Sequence, residues 1–163
     1  MMPDVFTHLM VGTSVALLAR RDDNRVEQML IVLGSVLIDI ERPVTWLLEG
    51  TPLKWIGLGS AFHSILGAVV LSYFAAVCFN LDGVEFKNRF LLILMGCASH
   101  LLLDLIMYPW VEIGLYILYP LKIPFSFNLL WPDFWLFPVF GFVIFLIAIC
   151  FRYILTYQKE NVK

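Results

Sequence analysis

Apolar residues run along this chain in long blocks, without the alternation of a half-buried strand or the one-sided stripe of a soluble helix. Five blocks stand out, roughly residues 5–19, 28–40, 55–81, 89–110 and 134–156, separated by charged or proline-rich stretches. A helix needs about 20 residues to cross the hydrocarbon of a bilayer, and the last three blocks reach that length. The first two are shorter and predict either spans or a tight hairpin that does not fully cross. The expected fold class is all-α, a polytopic membrane helical bundle with about five transmembrane or partly re-entrant helices. The stretch from Tyr108 to Trp135 is rich in aromatics and carries Pro109, Pro120, Pro124 and Pro132, so it predicts an interfacial cap and not one straight helix.

Composition agrees with that pattern. Hydrophobic residues make up 61% of the 163 residues and charged residues 15%, and the mean hydropathy is +0.86, far from soluble norms. No polar segment is long enough to bury a core of its own, so residues 1–163 read as a single integral membrane domain with 134–156 as a C-terminal anchoring helix. A net charge of -2 and a pI near 5.8 lack the basic footprint of nucleic-acid binding, so no direct nucleic-acid partner is expected. Cys78, Cys97 and Cys150 lie inside apolar runs and read as small hydrophobes, not as a disulfide framework. The first block lacks a basic n-region and a small-residue cleavage site, so it reads as a retained segment.

If every block crosses, one side carries Arg20, Arg21, Arg25, Lys87, Arg89, Arg152, Lys159 and Lys163, and the other carries Arg42, Lys54 and Lys122. The positive-inside rule makes the first side cytoplasmic. An inner-membrane protein with its N-terminus outside and its C-terminus in the cytoplasm is expected.

The polar residues gather on this map. His8 opens the first block, Asp39 and Glu41 close the second, His63 lies early in the third, and His100 and Asp104 lie late in the fourth. All fall toward one face of the membrane. Residues four apart share a helix face, so His100 and Asp104 can present imidazole and carboxylate to one point. Asp39 and Glu41, two apart, diverge on a regular helix, but Pro43 disfavours helix at Arg42 and is expected to fray the segment end. Three imidazoles and up to three carboxylates suit a divalent metal, zinc first, manganese or iron as alternatives, with room for one or two ions and a water. Such an ion would supply a hydrolytic nucleophile.

Plainer readings compete. His8 could be interfacial, Asp39 and Glu41 could be loop acids paired with Arg42, and His63 and His100 could be hydrogen-bonding glue worth about 1 kcal/mol. Asp104 resists such an account, because its own block offers no nearby basic residue. The pieces THLMVG and FHSILG each place a glycine four residues after a histidine, hinting at two similar hairpins.

These motifs together resemble the bacterial and archaeal family of inner-membrane, metal-dependent hydrolase-like proteins, one branch of which is described as LexA-binding. The resemblance covers residues 5–125. THLMVG resembles the family's early histidine, LIDIERP its Pro-Asp-x-Asp stretch, GSAFHS its His-Arg-Gly-x-x-His-Ser stretch, ASHLLLDLIMYP its Ser-His-x-x-x-Asp stretch and ILYPLKIPF its aromatic-proline element. It implies His8, Asp39, Glu41, His63, His100 and Asp104 as metal ligands. The chain departs from the pattern at Ile38 for proline, at Glu41 for the second aspartate, and at Leu58 and Gly59 for the His-Arg pair. The longer Glu41 arm keeps a carboxylate, whereas loss of His and Arg removes a ligand or a phosphate-binding charge.

The leading expectation is therefore a membrane-embedded metal-dependent hydrolase acting on a membrane lipid or other amphiphilic ester or phosphoester. Glu41 would serve as ligand or general base, and Arg42 and Lys54 would orient an anionic headgroup. The alternative is a non-catalytic protein that binds a protein partner and uses the polar cluster structurally. Ion or proton transport ranks lower, because the cytoplasmic stretches LGAVVLSYFAAVCF and FLLILMGCAS offer no charged or imidazole side chain.

Overall fold

The apolar blocks become helices in the computed structural model, which describes residues 4–19, 24–47, 51, 61–81, 83–106, 115–121, 123–127 and 136–161. Helix α1 is Val5–Ala19, α2 is Arg25–Leu37, a 3₁₀ turn follows at Ile38–Ile40, and α3 is Glu41–Leu47. Helix α4 is Ile65–Cys78, α5 is Phe86–Ile106 and α6 is Leu136–Asn161. The starts are written in the sequence. The Asp4 carboxylate accepts from the Thr7 backbone N–H at 2.8 Å, Asn24 caps α2 through Glu27 N–H, and Ser64 caps α4 through Gly67 N–H at 3.0 Å.

Two expectations change. The third block is not one helix, because Ser64 is extended (φ -129°) and restarts the helix at Ile65, leaving His63 in the break. Nor does Pro43 fray the second block. The chain tightens to 3₁₀ geometry and continues into α3, where Pro43 occupies the first turn and needs no N–H partner.

Among the described residues, α5 and the Leu136–Gln158 part of α6 are long and apolar enough to cross a membrane. Helices α1 and α4, at 15 and 14 residues, are also apolar but shorter. At 1.5 Å per residue they reach only about 22 Å of the roughly 30 Å hydrocarbon. The outer faces carry large apolar side chains, among them Leu66, Val70 and Phe74 on α4 and Val143, Ile147 and Ile154 on α6. Apolar surface on that scale suits lipid and not water.

Helix α2 packs on α5, α1 on α2, α4 on α5, and α6 on the outside of α1. Two helix pairs thus meet along the α2–α5 seam, around Ile31, Ile38, Leu92 and Ile93. The seam is close because Gly34 and Gly96 face each other's helix. A Cβ on Gly34 would overlap the Ile93 carbonyl, and one on Gly96 would overlap the Ile31 carbonyl. Small residues permit such approach between membrane helices.

Arg89, counted above with the loop charges, is buried near the start of α5. Its guanidinium donates to the carbonyls of Ala76 at 3.2 Å, Leu81 at 3.3 Å and Val84 at 2.6 Å, tying the end of α4 to the turn that leads into α5. Arg89→Ala would strand these carbonyls and is expected to destabilise the fold by about 3 kcal/mol, since charged hydrogen bonds contribute roughly 1.5–3 kcal/mol each and are not additive. Arg89→Lys should fall between, keeping charge without the fork. Thermal unfolding in detergent measures both.

Candidate metal centre

The helices deliver six ionisable side chains to one end of the bundle. His8 lies in the first turn of α1, Asp39 in the 3₁₀ turn, Glu41 at the start of α3, His63 in the break before α4, and His100 and Asp104 one turn apart on α5. All six are buried, between 1% and 7% exposed.

Asp104 is the hub. Its Oδ1 lies 3.3 Å from His8 Nε2, and its Oδ2 lies 3.2 Å from His100 Nε2 and 3.7 Å from His63 Nε2. The His8 and His100 rings stack in parallel, with centroids 3.6 Å apart and 8° between planes, whereas His63 is tilted 56° to His100. Asp39 joins His8 and His100 in one group whose donor atoms lie within 4.8 Å of one another; His63, His100 and Asp104 form a second. Glu41 stands outside both groups, its Oε1 3.8 Å from His63 Nδ1 on the side of the ring away from Asp104. Burial pushes its carboxyl above the usual range, with the neighbouring Arg42 charge opposing.

The 3₁₀ turn makes this division feasible. On an α-helix, positions two apart point roughly 160° away from each other. A 3₁₀ turn narrows that to roughly 120°, so Asp39 and Glu41 flank the cluster from two sides.

His100 Nδ1 donates to the backbone carbonyl of Ser35 at 2.7 Å. That bond fixes the tautomer and leaves the Nε2 lone pair aimed into the cluster, the arrangement that orients metal-binding histidines. Sequence reasoning missed Ser35, whose contribution is backbone and invisible in residue type; the signal was the small pair Gly34-Ser35 opposite the small residues before His100.

The cluster does not satisfy itself. Among the described residues, His8 Nδ1 and Nε2, Asp39 Oδ2, His100 Nε2 and both Asp104 oxygens are buried without a hydrogen-bond partner, although several lie within 3.3 Å of an opposite group. Each such atom costs roughly 1–3 kcal/mol. Nitrogen and carboxylate donors converging from four elements fit a divalent ion.

A family model describing the YdjM inner membrane protein matches residues 2–162. The chain belongs to the YdjM inner membrane protein family. This is the LexA-binding, inner-membrane-associated, hydrolase-like family that the motifs resemble, and the YdjM match extends well beyond residues 5–125 into α6. No curated protein and no solved structure matches the chain. Of the positions where the chain departs from the YdjM-type pattern, Leu58 and Gly59 lie outside the described residues, as does Lys54. Arg42 is partly exposed, and its Nε lies 3.1 Å from Asp39 Oδ1, so its charge already serves that carboxylate.

Above the cluster, residues 115–121 and 123–127 approach each other through a paired Leu115 and Phe125. This segment is tied down beside the site residues: Ile65 N–H donates to Ile117 C=O at 2.9 Å, and Phe127 N–H donates to Leu105 C=O at 2.8 Å. Leu121, Phe125 and Phe127 on it are exposed, as an apolar cap at a lipid interface would be.

Proposed function

We propose that this YdjM-family protein is a membrane-embedded, divalent-metal-dependent hydrolase acting on a lipid or other amphiphilic ester or phosphoester. The observation that carries the reading is the set of six buried donor atoms without hydrogen-bond partners, contributed by α1, the 3₁₀ turn and α5, among which His8, Asp39 and His100 bring donors within 4.8 Å of one another. Structural glue would have placed a proton in each contact, whereas the Ser35 bond leaves the His100 Nε2 lone pair facing Asp104 Oδ2 at 3.2 Å. His8, Asp39, His63, His100 and Asp104 would hold the metal, with zinc first among candidates and manganese or iron next. The bound ion would supply a Lewis acid and a water of lowered pKa.

The chain's own residues do the rest. Ser35 C=O keeps the His100 proton on Nδ1. Glu41, behind His63, orients that ring and stands as proton acceptor at the rim. Lys54 would meet an anionic headgroup beside Arg42, whose Nε stays on Asp39, and residues 115–121 and 123–127 would guide an amphiphile in from the bilayer. Transport is disfavoured because α2 and α5 touch backbone to backbone at Gly34 and Gly96, one turn beneath His100. The family's LexA-binding description favours a second reading, in which the chain works by holding a protein partner. The charge pattern supports an outward-facing site with the C-terminus in the cytoplasm.

Elemental analysis of the purified, detergent-solubilised protein tests the proposal against the double variant His100→Ala, Asp104→Ala. Bound zinc, manganese or iron in the wild type, lost in a folded variant, is expected, with hydrolysis of ester or phosphoester lipids appearing only in the metal-loaded wild type. A folded wild type that takes up no divalent ion would leave partner binding as the function.

A further inference from the structure

The orientation of the imidazoles says more than that a metal binds. A metal on an imidazole nitrogen lies in the plane of that ring, at about 2.1 Å from the nitrogen. The His8 and His100 planes are parallel within 8° and their centroids are 3.6 Å apart. An ion in one plane is therefore about one stacking distance out of the other, and a single ion cannot be bound well by both. His63, tilted 56° to His100, has a plane that crosses the His100 plane, so those two rings can share an ion.

The carboxylate follows the same division. Asp104 gives Oδ1 to His8 and Oδ2 to His100 and His63. A carboxylate with its oxygens turned to different donors is the shape of a bridge between two ions, and two-metal sites hold their ions about 3.5–4 Å apart, close to the stacking distance here.

We propose that the centre is dinuclear: His8, Asp39 and Asp104 Oδ1 hold one ion, His63, His100 and Asp104 Oδ2 hold the other, and Asp104 bridges them. The inference rests on the metal-binding reading above and adds the number of ions and the allotment of ligands. His100, pinned by Ser35, belongs to the second ion, and the first is built on His8.

Stoichiometry and spin coupling test it without an assay of activity. The full-length protein in detergent is loaded with zinc for elemental analysis and, separately, with manganese(II) for electron paramagnetic resonance, after excess ion is removed. Two zinc ions per chain and an exchange-coupled manganese spectrum are expected. His8→Ala should retain one ion per chain and give the isolated-ion sextet, and Asp104→Asn should lose the coupling. One ion per chain in the wild type, with an uncoupled spectrum, would overturn the dinuclear assignment and leave the metal site standing. No ion would overturn the metal reading and this assignment together. Should His8→Ala fail to fold, the wild-type ratio and spectrum decide alone.

Discussion

Replacing Asp104 with asparagine is expected to weaken divalent-metal binding by at least about 100-fold, above the 10- to 100-fold typical when only an orienting partner of a ligand is lost. Both Asp104 oxygens face imidazole nitrogens, so one substitution removes a carboxylate charge that touches all three histidines. Asparagine preserves volume, so the loss reads as chemistry and not as a cavity. The stability consequence runs two ways. Without metal, the variant replaces a 5% exposed carboxylate, whose Oδ2 faces the His100 Nε2 lone pair, with an amide able to donate to it, and should unfold no earlier than the wild type. With metal at 100 times its dissociation constant, the wild type should gain about 2.7 kcal/mol and the variant almost nothing. Thermal unfolding with and without zinc separates the two states. A variant that gains as much from zinc as the wild type would remove Asp104 from the centre.

Much of this arrangement was legible in residue spacing. The apolar blocks predicted α1, α2, α5 and α6 closely, because burial in lipid demands helices of apolar residues whatever their detailed packing. His100 and Asp104 could be paired from their four-residue offset alone, since that geometry is local. What escaped depends on long-range contact or on backbone. The break at His63 comes from Ser64 adopting extended geometry inside an apolar run, and Pro43 proved compatible with a short helix once the preceding turn tightened. Arg89 looked like a loop charge and is a buried tie between α4 and the following turn, because its partners are carbonyls that carry no sequence signature. The stacking of His8 on His100 depends on how α1 meets α5, which no pattern within either helix encodes.

The second large effect concerns that long-range packing. Gly96→Ala is expected to cost the fold about 3 kcal/mol or more, at the upper end of overpacking penalties, and to abolish metal uptake in whatever protein survives. The added Cβ would meet the Ile31 carbonyl and come within 2.7 Å of Ser35 N and 2.8 Å of Gly34 Cα. All three are backbone atoms of α2, so no side chain can swing aside and the helices must separate. Separation is felt at the site because Ser35, beside this contact, supplies the carbonyl that holds His100 at 2.7 Å. Gly34→Ala should behave alike, its Cβ overlapping the Ile93 carbonyl from the other side. Leu102→Ala, on the exposed face of α5 at 56% exposure, is the control and should change stability by under about 0.5 kcal/mol. Unfolding midpoints and metal content measured together make the comparison. If Gly96→Ala folds and binds metal like the wild type, the α2–α5 seam is looser than its backbone contacts imply and Ser35 is not what orients His100. If stability and metal fall together while Leu102→Ala leaves both unchanged, the glycine pair sets the distance at which one helix can hold the other's histidine in place.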